Sequence, residues 1–236
     1  MKNKIKNILL YIKYQHKATS RSYVKYLRKK GIRIGKDTNF YSPWTISVDI
    51  QRPWMIEIGD NVHITSGCNI LQHGYDWAVI QKLYGDVLGS SGKVKIGNNV
   101  FIGVKTTILK GVTIGDNVII GANSLVNKDL ESNGVYAGNP IRFIMSINDY
   151  YEKRKVEQLD EAKELVKEYF NKYNKVPEKE LLREFYWLFQ QREDQLIKEY
   201  DNVLKLNGNY EESFNKFINT KPIFKDYEEF VKFSLK

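Results

Sequence analysis

Three histidines, His16, His63 and His73, and one cysteine, Cys68, are the side chains best suited to proton transfer or nucleophilic attack near neutral pH. His73 lies in Gln72-His73-Gly74-Tyr75-Asp76, with a carboxylate three residues on. A neutral imidazole can take a proton from an attacking hydroxyl. Asp76 can then either orient the ring or bind an acceptor hydroxyl. The residues alone leave a plain loop histidine open, since most histidines are not catalytic. His16 sits in a basic N-terminal segment and reads as a surface residue. A single cysteine excludes an intrachain disulfide. No Cys/His cluster has zinc-ligand spacing, and no Gly-x-x-x-x-Gly-Lys-[Ser/Thr] phosphate loop occurs.

The elements that must carry these residues are set by a six-residue step. Ile96, Ile102, Ile108, Ile114, Ile120 and Val126 recur at that interval, and Gly follows at 97, 103, 115 and 121. Four residues after each of the first five lies a second, mostly small residue: Val100, Thr106, Val112, Val118 and Ser124. The step fits neither the helical period of 3.6 nor strand alternation. It predicts a mainly β fold of triangular parallel coils, three hexads closing each coil of about eighteen residues. The aliphatic and small residues point inward, and coils must stack to bury them. Gly97-Asn98-Asn99 and Gly115-Asp116-Asn117 are read as corners tolerating positive φ.

Upstream, Ile58, Ile64 and Ile70 keep the step, as do Ile34, Phe40 and Ile46, with Trp44, Pro53 and Trp54 disturbing the register. Cys68 takes a small inward position and reads as buried packing, not a nucleophile. His63, beside inward Val62, should face outward. From Leu71 to Lys95 the step is lost, which predicts a loop thrown out from a corner, with His73 near its start. The coil ends at Gly138-Asn139-Pro140. Beyond 148, Val156, Leu159, Val166, Tyr169, Phe170 and Tyr173 recur at helical intervals. Pro177 opens a second predicted helix with Leu181, Leu182, Phe185, Leu188 and Phe189, and a less regular apolar stretch runs from Phe214 to Val231. The organisation expected is a basic helical segment at 1–30, a β-helix at 31–148 and a helical appendage at 149–236, whose aromatics form core.

The net charge of +9 sits in the first 36 residues, which hold twelve Lys/Arg and no acid. A nucleic-acid binder spreads a basic face over its folded body, so no nucleic-acid partner is expected. Ile5, Ile8, Leu9 and Ile12 interleave with the charges at helical spacing. That pattern fits a helix on an anionic membrane surface or one packed on the body, and it leaves both open. The opening segment lacks a cleavage-site pattern and a spanning length, so a cytoplasmic location is expected, with the inner face of the membrane open.

The stretch IGNNVFIGVKTTILKGVTIGDNVIIGANSLVNKDL, followed by YAGNP, resembles the hexapeptide-repeat acyltransferases, nearest the maltose, galactoside and capsular polysaccharide O-acetyltransferases. The likeness covers about 31–145 and is strongest over 94–145. It implies a left-handed coil, a homotrimer with active sites between subunits, acetyl-coenzyme A as donor and His73 as general base; with only His63 and His73 on the coil, no metal is expected. His73 and Asp76 match the His-Pro-Leu-Asp of the maltose type, while the middle pair differs. Tyr75, Asp76 and Trp77 then fall beside the acceptor. The resemblance assigns the donor to Phe101, where the maltose type has Trp, and to Gly103, Val104 and Ala122 along the groove. Asn127 and Lys128 stand where the family has Thr-Lys, and Arg142 matches a basic residue near the nucleotide phosphate.

What the resemblance implies is O-acetylation of a sugar hydroxyl, in a surface or capsular polysaccharide or its precursor. N-acetylation of an amino sugar or an antibiotic shares the same histidine and repeat. A non-enzymatic β-helix scaffold shares the repeat alone.

Overall fold

The computed structural model describes residues 9–193 and 195–236. It divides into two compact units, 1–150 and 151–236. Ile5 and Ile8, read above as part of an amphipathic helix, lie outside the described residues.

The first unit is a β-helix of three parallel sheets, each strand two to five residues long. Regular coils advance by eighteen residues, seen where Asn98 bonds Asp116 and Asn99 bonds Asn117. Ile96, Ile102, Ile108, Ile114, Ile120 and Val126 are all buried, with Val100, Thr106, Val112, Val118 and Ser124 beside them. Fully burying one such aliphatic side chain stabilises by about 1.5–3 kcal/mol. Because each coil repeats the last, these chains stack into one continuous core running back to Ile34 and Phe40.

The corners divide their two demands between residues differently from the sequence reading. Positive φ falls on Asn99 and Asn117, and on Asn61 and Asn133 in line with them. Gly97 and Gly115 are needed for closeness instead: a Cβ on Gly97 would lie 2.7 Å from the backbone of Gly115. The four asparagines form a ladder in which each Nδ2 donates to the next Oδ1, from Asn61 to Asn99 at 3.0 Å and from Asn99 to Asn117 and Asn117 to Asn133 at 2.9 Å.

Insertions explain where the step failed. A 3₁₀ turn at Pro43–Thr45 lengthens the first coil, so Val48 and not Ile46 pairs with Ile70, although Ile46 is buried too. A second turn at Pro53–Met55 delays the return to Ile58. The interruption after Ile70 is shorter and more ordered than a loop. Leu71 still donates to Ile108, a two-stranded antiparallel stem pairs His73 with Ser91 and Gly74 with Ser90, and the coil resumes at Val94. A helix, Trp77–Tyr84, forms the tip and ends at Gly85 with φ of 85°.

The N-terminal segment belongs to this unit. The helix Ser20–Lys30 has a Thr19–Ser22 capping box and a Gly31 C-cap. It buries Tyr23, Val24 and Leu27 in the coil core, Tyr23 meeting Phe40 edge-on at 5.1 Å. Polar groups of the segment reach the first coil: Ser20 Oγ accepts from Phe40 N–H, Lys17 Nζ donates to Ile46 O, and Arg28 donates to Ile34 O and Gly35 O. At the other end, Arg142–Ser146 returns antiparallel along Gly134–Ala137.

The helix Ile147–Tyr173 begins just before the second unit and contributes Ala162 and Val166 to that unit's aromatic core, with Tyr186, Tyr200, Phe217 and Phe230. Tyr186 and Tyr200 stack at 4.5 Å. The α-helix expected after Pro177 does not form. Two 3₁₀ turns, Lys179–Leu182 and Tyr186–Leu188, present Leu182 and Leu188 inward instead. The irregular final stretch resolves into helices Tyr210–Ile218 and Tyr227–Ser234. Among the described residues, no helix is long and apolar enough to cross a membrane.

Candidate active site

His73 stands where the chain leaves the corner after strand Asn69–Ile70. The stem holds it there: Gln72 O accepts from Gly92 N–H at 3.0 Å and from Ser91 Oγ at 3.2 Å. The imidazole Nδ1 is hydrogen-bonded to Asp49 Oδ2, with both side chains largely buried. Asp49 is fixed in turn. Its backbone N–H donates to Ile70 O at 2.9 Å, and its Oδ1 accepts from Gln51 N–H at 3.0 Å. A carboxylate can only accept here, so in the neutral ring Nδ1 carries the proton and Nε2 is left with its lone pair. That is the tautomer a general base requires.

Asp49 was absent from the sequence reading. Its signal was its place one coil below His73, hidden because the inserted 3₁₀ turns shift the pairing away from eighteen residues. Asp76 does not orient the ring. It precedes the Trp77–Tyr84 helix, where its carbonyl accepts from Val79 N–H, and its side chain is exposed. Tyr75 meets His73 edge-on at 5.3 Å and Trp77 at 5.8 Å. Tyr75 thus stands against the imidazole, and Asp76 and Trp77 follow it in the chain.

The remaining histidines and the cysteine are engaged elsewhere. His63 Nε2 donates to Asn61 Oδ1 at 3.0 Å, and its Nδ1 accepts from Tyr41 O–H at 2.9 Å. Burial lowers its pKa. With both nitrogens occupied, it is no free base. His16 stacks on Tyr26 at 3.8 Å. Cys68 is 1% exposed, its thiol donates to Gly103 O, and burial pushes its pKa up. Such a thiol is inert packing. Among the described residues, no group of three His, Cys, Asp or Glu is placed to hold a metal.

The residues assigned to the donor fall on two edges of the prism. Phe101 and Val104 are exposed apolar side chains, and Ala122 is exposed beside them. Gly103 stacks so closely that a Cβ there would lie 2.6 Å from Ala122 N, and Val104 O accepts from Asn123 N–H. This strip runs along strands Val100–Ile102 and Val118–Ile120 and the corner after them. Asn127 and Lys128 follow strand Leu125–Val126, which shares a sheet with Asn69–Ile70, the strand after which His73 emerges, and both are exposed. Arg142 is exposed at the start of the antiparallel strand. One chain therefore carries the base on one edge and the apolar strip on another.

The profile of bacterial transferase hexapeptide (six repeats) matches residues 93–128. The Staphylococcus aureus protein CapG is 40% identical over 143 residues, covering 59% of this chain and 79% of CapG. Galactoside O-acetyltransferase of Escherichia coli K12 is 40% identical over 131 residues, covering 53% of this chain and 62% of that protein. A solved galactoside acetyltransferase in complex with coenzyme A aligns with a TM-score of 0.46 at 28% identity, covering 63% of this chain and 82% of that one.

Proposed function

We propose a reaction, an acceptor class and an assembly from one premise: this chain belongs to the hexapeptide-repeat transferases and is an acetyltransferase. The reaction is transfer of an acetyl group from acetyl-coenzyme A to a sugar hydroxyl, in a surface or capsular polysaccharide or its precursor. The acceptor class rests on the name of the galactoside enzyme.

His73 Nε2 accepts the hydroxyl proton as the oxygen attacks the thioester carbonyl carbon. Asp49 stabilises the imidazolium that forms, and Tyr75, Asp76 and Trp77 hold the sugar. Backbone N–H groups at a Gly-rich corner donate to the oxyanion. The C–S bond then breaks, and the imidazolium returns its proton to the departing thiolate. Phe101, Gly103, Val104 and Ala122 form the wall along which pantetheine runs. Lys128 and Arg142 meet phosphates, with Asn127 beside them. The coil is taken as left-handed and the reaction as cytoplasmic, where acetyl-coenzyme A is made.

The separation of base and strip on different edges supports a trimer, in which one chain's His73 edge faces the next chain's Phe101 edge. The excursion is suited to such a neighbour, since Val79, Leu83, Tyr84, Val87 and Leu88 are all exposed.

The observation that carries this reading is the His73–Asp49 pair at the break in the coil. Thiol release from acetyl-coenzyme A with galactosides and polysaccharide fragments as acceptors tests it. His73→Ala should lose about 10²–10⁴-fold in kcat. Undiminished turnover in that variant ends the general-base assignment. Turnover confined to amino sugars or aminoglycosides moves the acceptor to nitrogen.

A further inference from the structure

The N-terminal helix buries one face and turns a basic one outward. Tyr23, Val24 and Leu27 point into the coil, whereas Arg21, Lys25, Arg28 and Lys29 form an exposed stripe at helical spacing. Arg28 is occupied by the carbonyls of Ile34 and Gly35. Arg21, Lys25 and Lys29 have no carboxylate partner among the described residues. Arg21, Lys25 and Arg28 also wall an open groove of about 450 Å³, whose far side is Thr38, Asn39 and one acid, Asp37.

Immediately upstream, residues 9–14 are helical and present Leu9 at 60%, Tyr11 at 48% and Ile12 at 73% exposure, with Lys13 exposed among them. Tyr11 approaches Thr19, the residue that caps the basic helix, so this short apolar turn is tied to its start through Tyr11. Residues 1–8 add three lysines and no acid in sequence.

We propose that this face docks on an anionic membrane surface, the lysine and arginine stripe meeting lipid phosphates while Leu9, Tyr11 and Ile12 enter the headgroup boundary. A soluble polyanion would use the cations and leave the apolar side chains idle, and a neutral surface would do the reverse. An anionic bilayer uses both. Each basic side chain held at such a surface is worth a factor of about five.

The test is co-sedimentation of the full chain with phosphatidylcholine vesicles, with and without phosphatidylglycerol, at low and high salt. Binding is expected only with phosphatidylglycerol, weakening in salt. The triple variant Arg21→Glu, Lys25→Glu, Lys29→Glu should bind at least about 100-fold more weakly. Leu9→Ser with Ile12→Ser should also weaken binding, and two exposed side chains leave folding intact if the triple variant does not fold. Failure to sediment with phosphatidylglycerol, equal binding to neutral vesicles, or wild-type binding by both variants overturns the proposal. So does binding of a soluble acidic polysaccharide that the serine variant leaves unchanged while vesicle binding is absent.

Discussion

Replacing Asp49 by Asn should cost about as much activity as replacing His73. In the wild type the carboxylate accepts from His73 Nδ1 and, through its other oxygen, from Gln51 N–H at 3.0 Å. Asn has nearly the same shape. If its Oδ1 keeps the Gln51 contact, its NH₂ faces Nδ1 and can only donate. Nδ1 must then accept, the ring proton moves to Nε2, and the face toward the acceptor becomes a donor. Losing a general base costs about 10²–10⁴-fold, and a carboxylate-to-amide change behind a catalytic histidine costs about 10⁴-fold in the serine hydrolase triad. At about 1.36 kcal/mol per decade, the range is about 2.7–5.4 kcal/mol of transition-state stabilisation. The loss should appear in kcat. KM for acetyl-coenzyme A should hold, because Asp49 acts on the ring through Nδ1, away from the reacting Nε2, and is not among the residues assigned to the donor. The assay is steady-state thiol release, with ¹⁵N chemical shifts of the His73 ring reporting the tautomer and thermal denaturation reporting the fold. A variant with unchanged melting, a flipped tautomer and kcat within about threefold of wild type would refute the reasoning, since base removal alone predicts at least about 10².

Two further predictions concern the coil. Gly59→Ala would place a Cβ 2.5 Å from Gly97 O, without a positive φ to blame, and should cost about 1–3 kcal/mol in denaturant unfolding. Gly89→Ala, with nothing within 4 Å, should be near neutral, and equal losses in the two would remove coil closeness as the cause. His63 has a folded pKa below its ordinary 6.5 because of burial. Below about 6.5 the unfolded chain binds a proton that the folded chain refuses, so stability is full above that value and falls as the pH drops through it. Melting at about pH 7.5 and about pH 5.5 should therefore separate more in the wild type than in His63→Gln, and parallel shifts would show that His63 contributes nothing.

The inward positions from Ile96 to Val126 were legible because eighteen residues return the chain to the same sheet, and the sequence repeats at one third of that. Cys68 was legible for the same reason. Legibility failed wherever residues were inserted. Pro43–Thr45 moved Val48, not Ile46, opposite Ile70, and in doing so placed Asp49 beneath His73. No spacing rule names a residue whose partner lies across an insertion of unknown length. Asp76 was the carboxylate visible beside His73, whereas one brought in by stacking leaves no mark at a fixed spacing. The failed helix after Pro177 has another cause: Leu182, Tyr186, Leu188 and Phe189 all bury, and short 3₁₀ turns aim them inward where one straight helix face cannot.

The contacts of the N-terminal segment with the first coil have a consequence for solubility. A stack of parallel strands ends in backbone groups that another chain could extend, the hazard that sheet edges carry in general. Here Ser20 takes the N–H of Phe40, Lys17 takes the carbonyl of Ile46, and Arg28 takes those of Ile34 and Gly35. All three sides of the first coil are thus occupied by side chains that cannot propagate a ladder. At the far end, Arg142–Ser146 runs against the grain and spoils the template on one side. The segment therefore works as a stopper against end-to-end fibre growth.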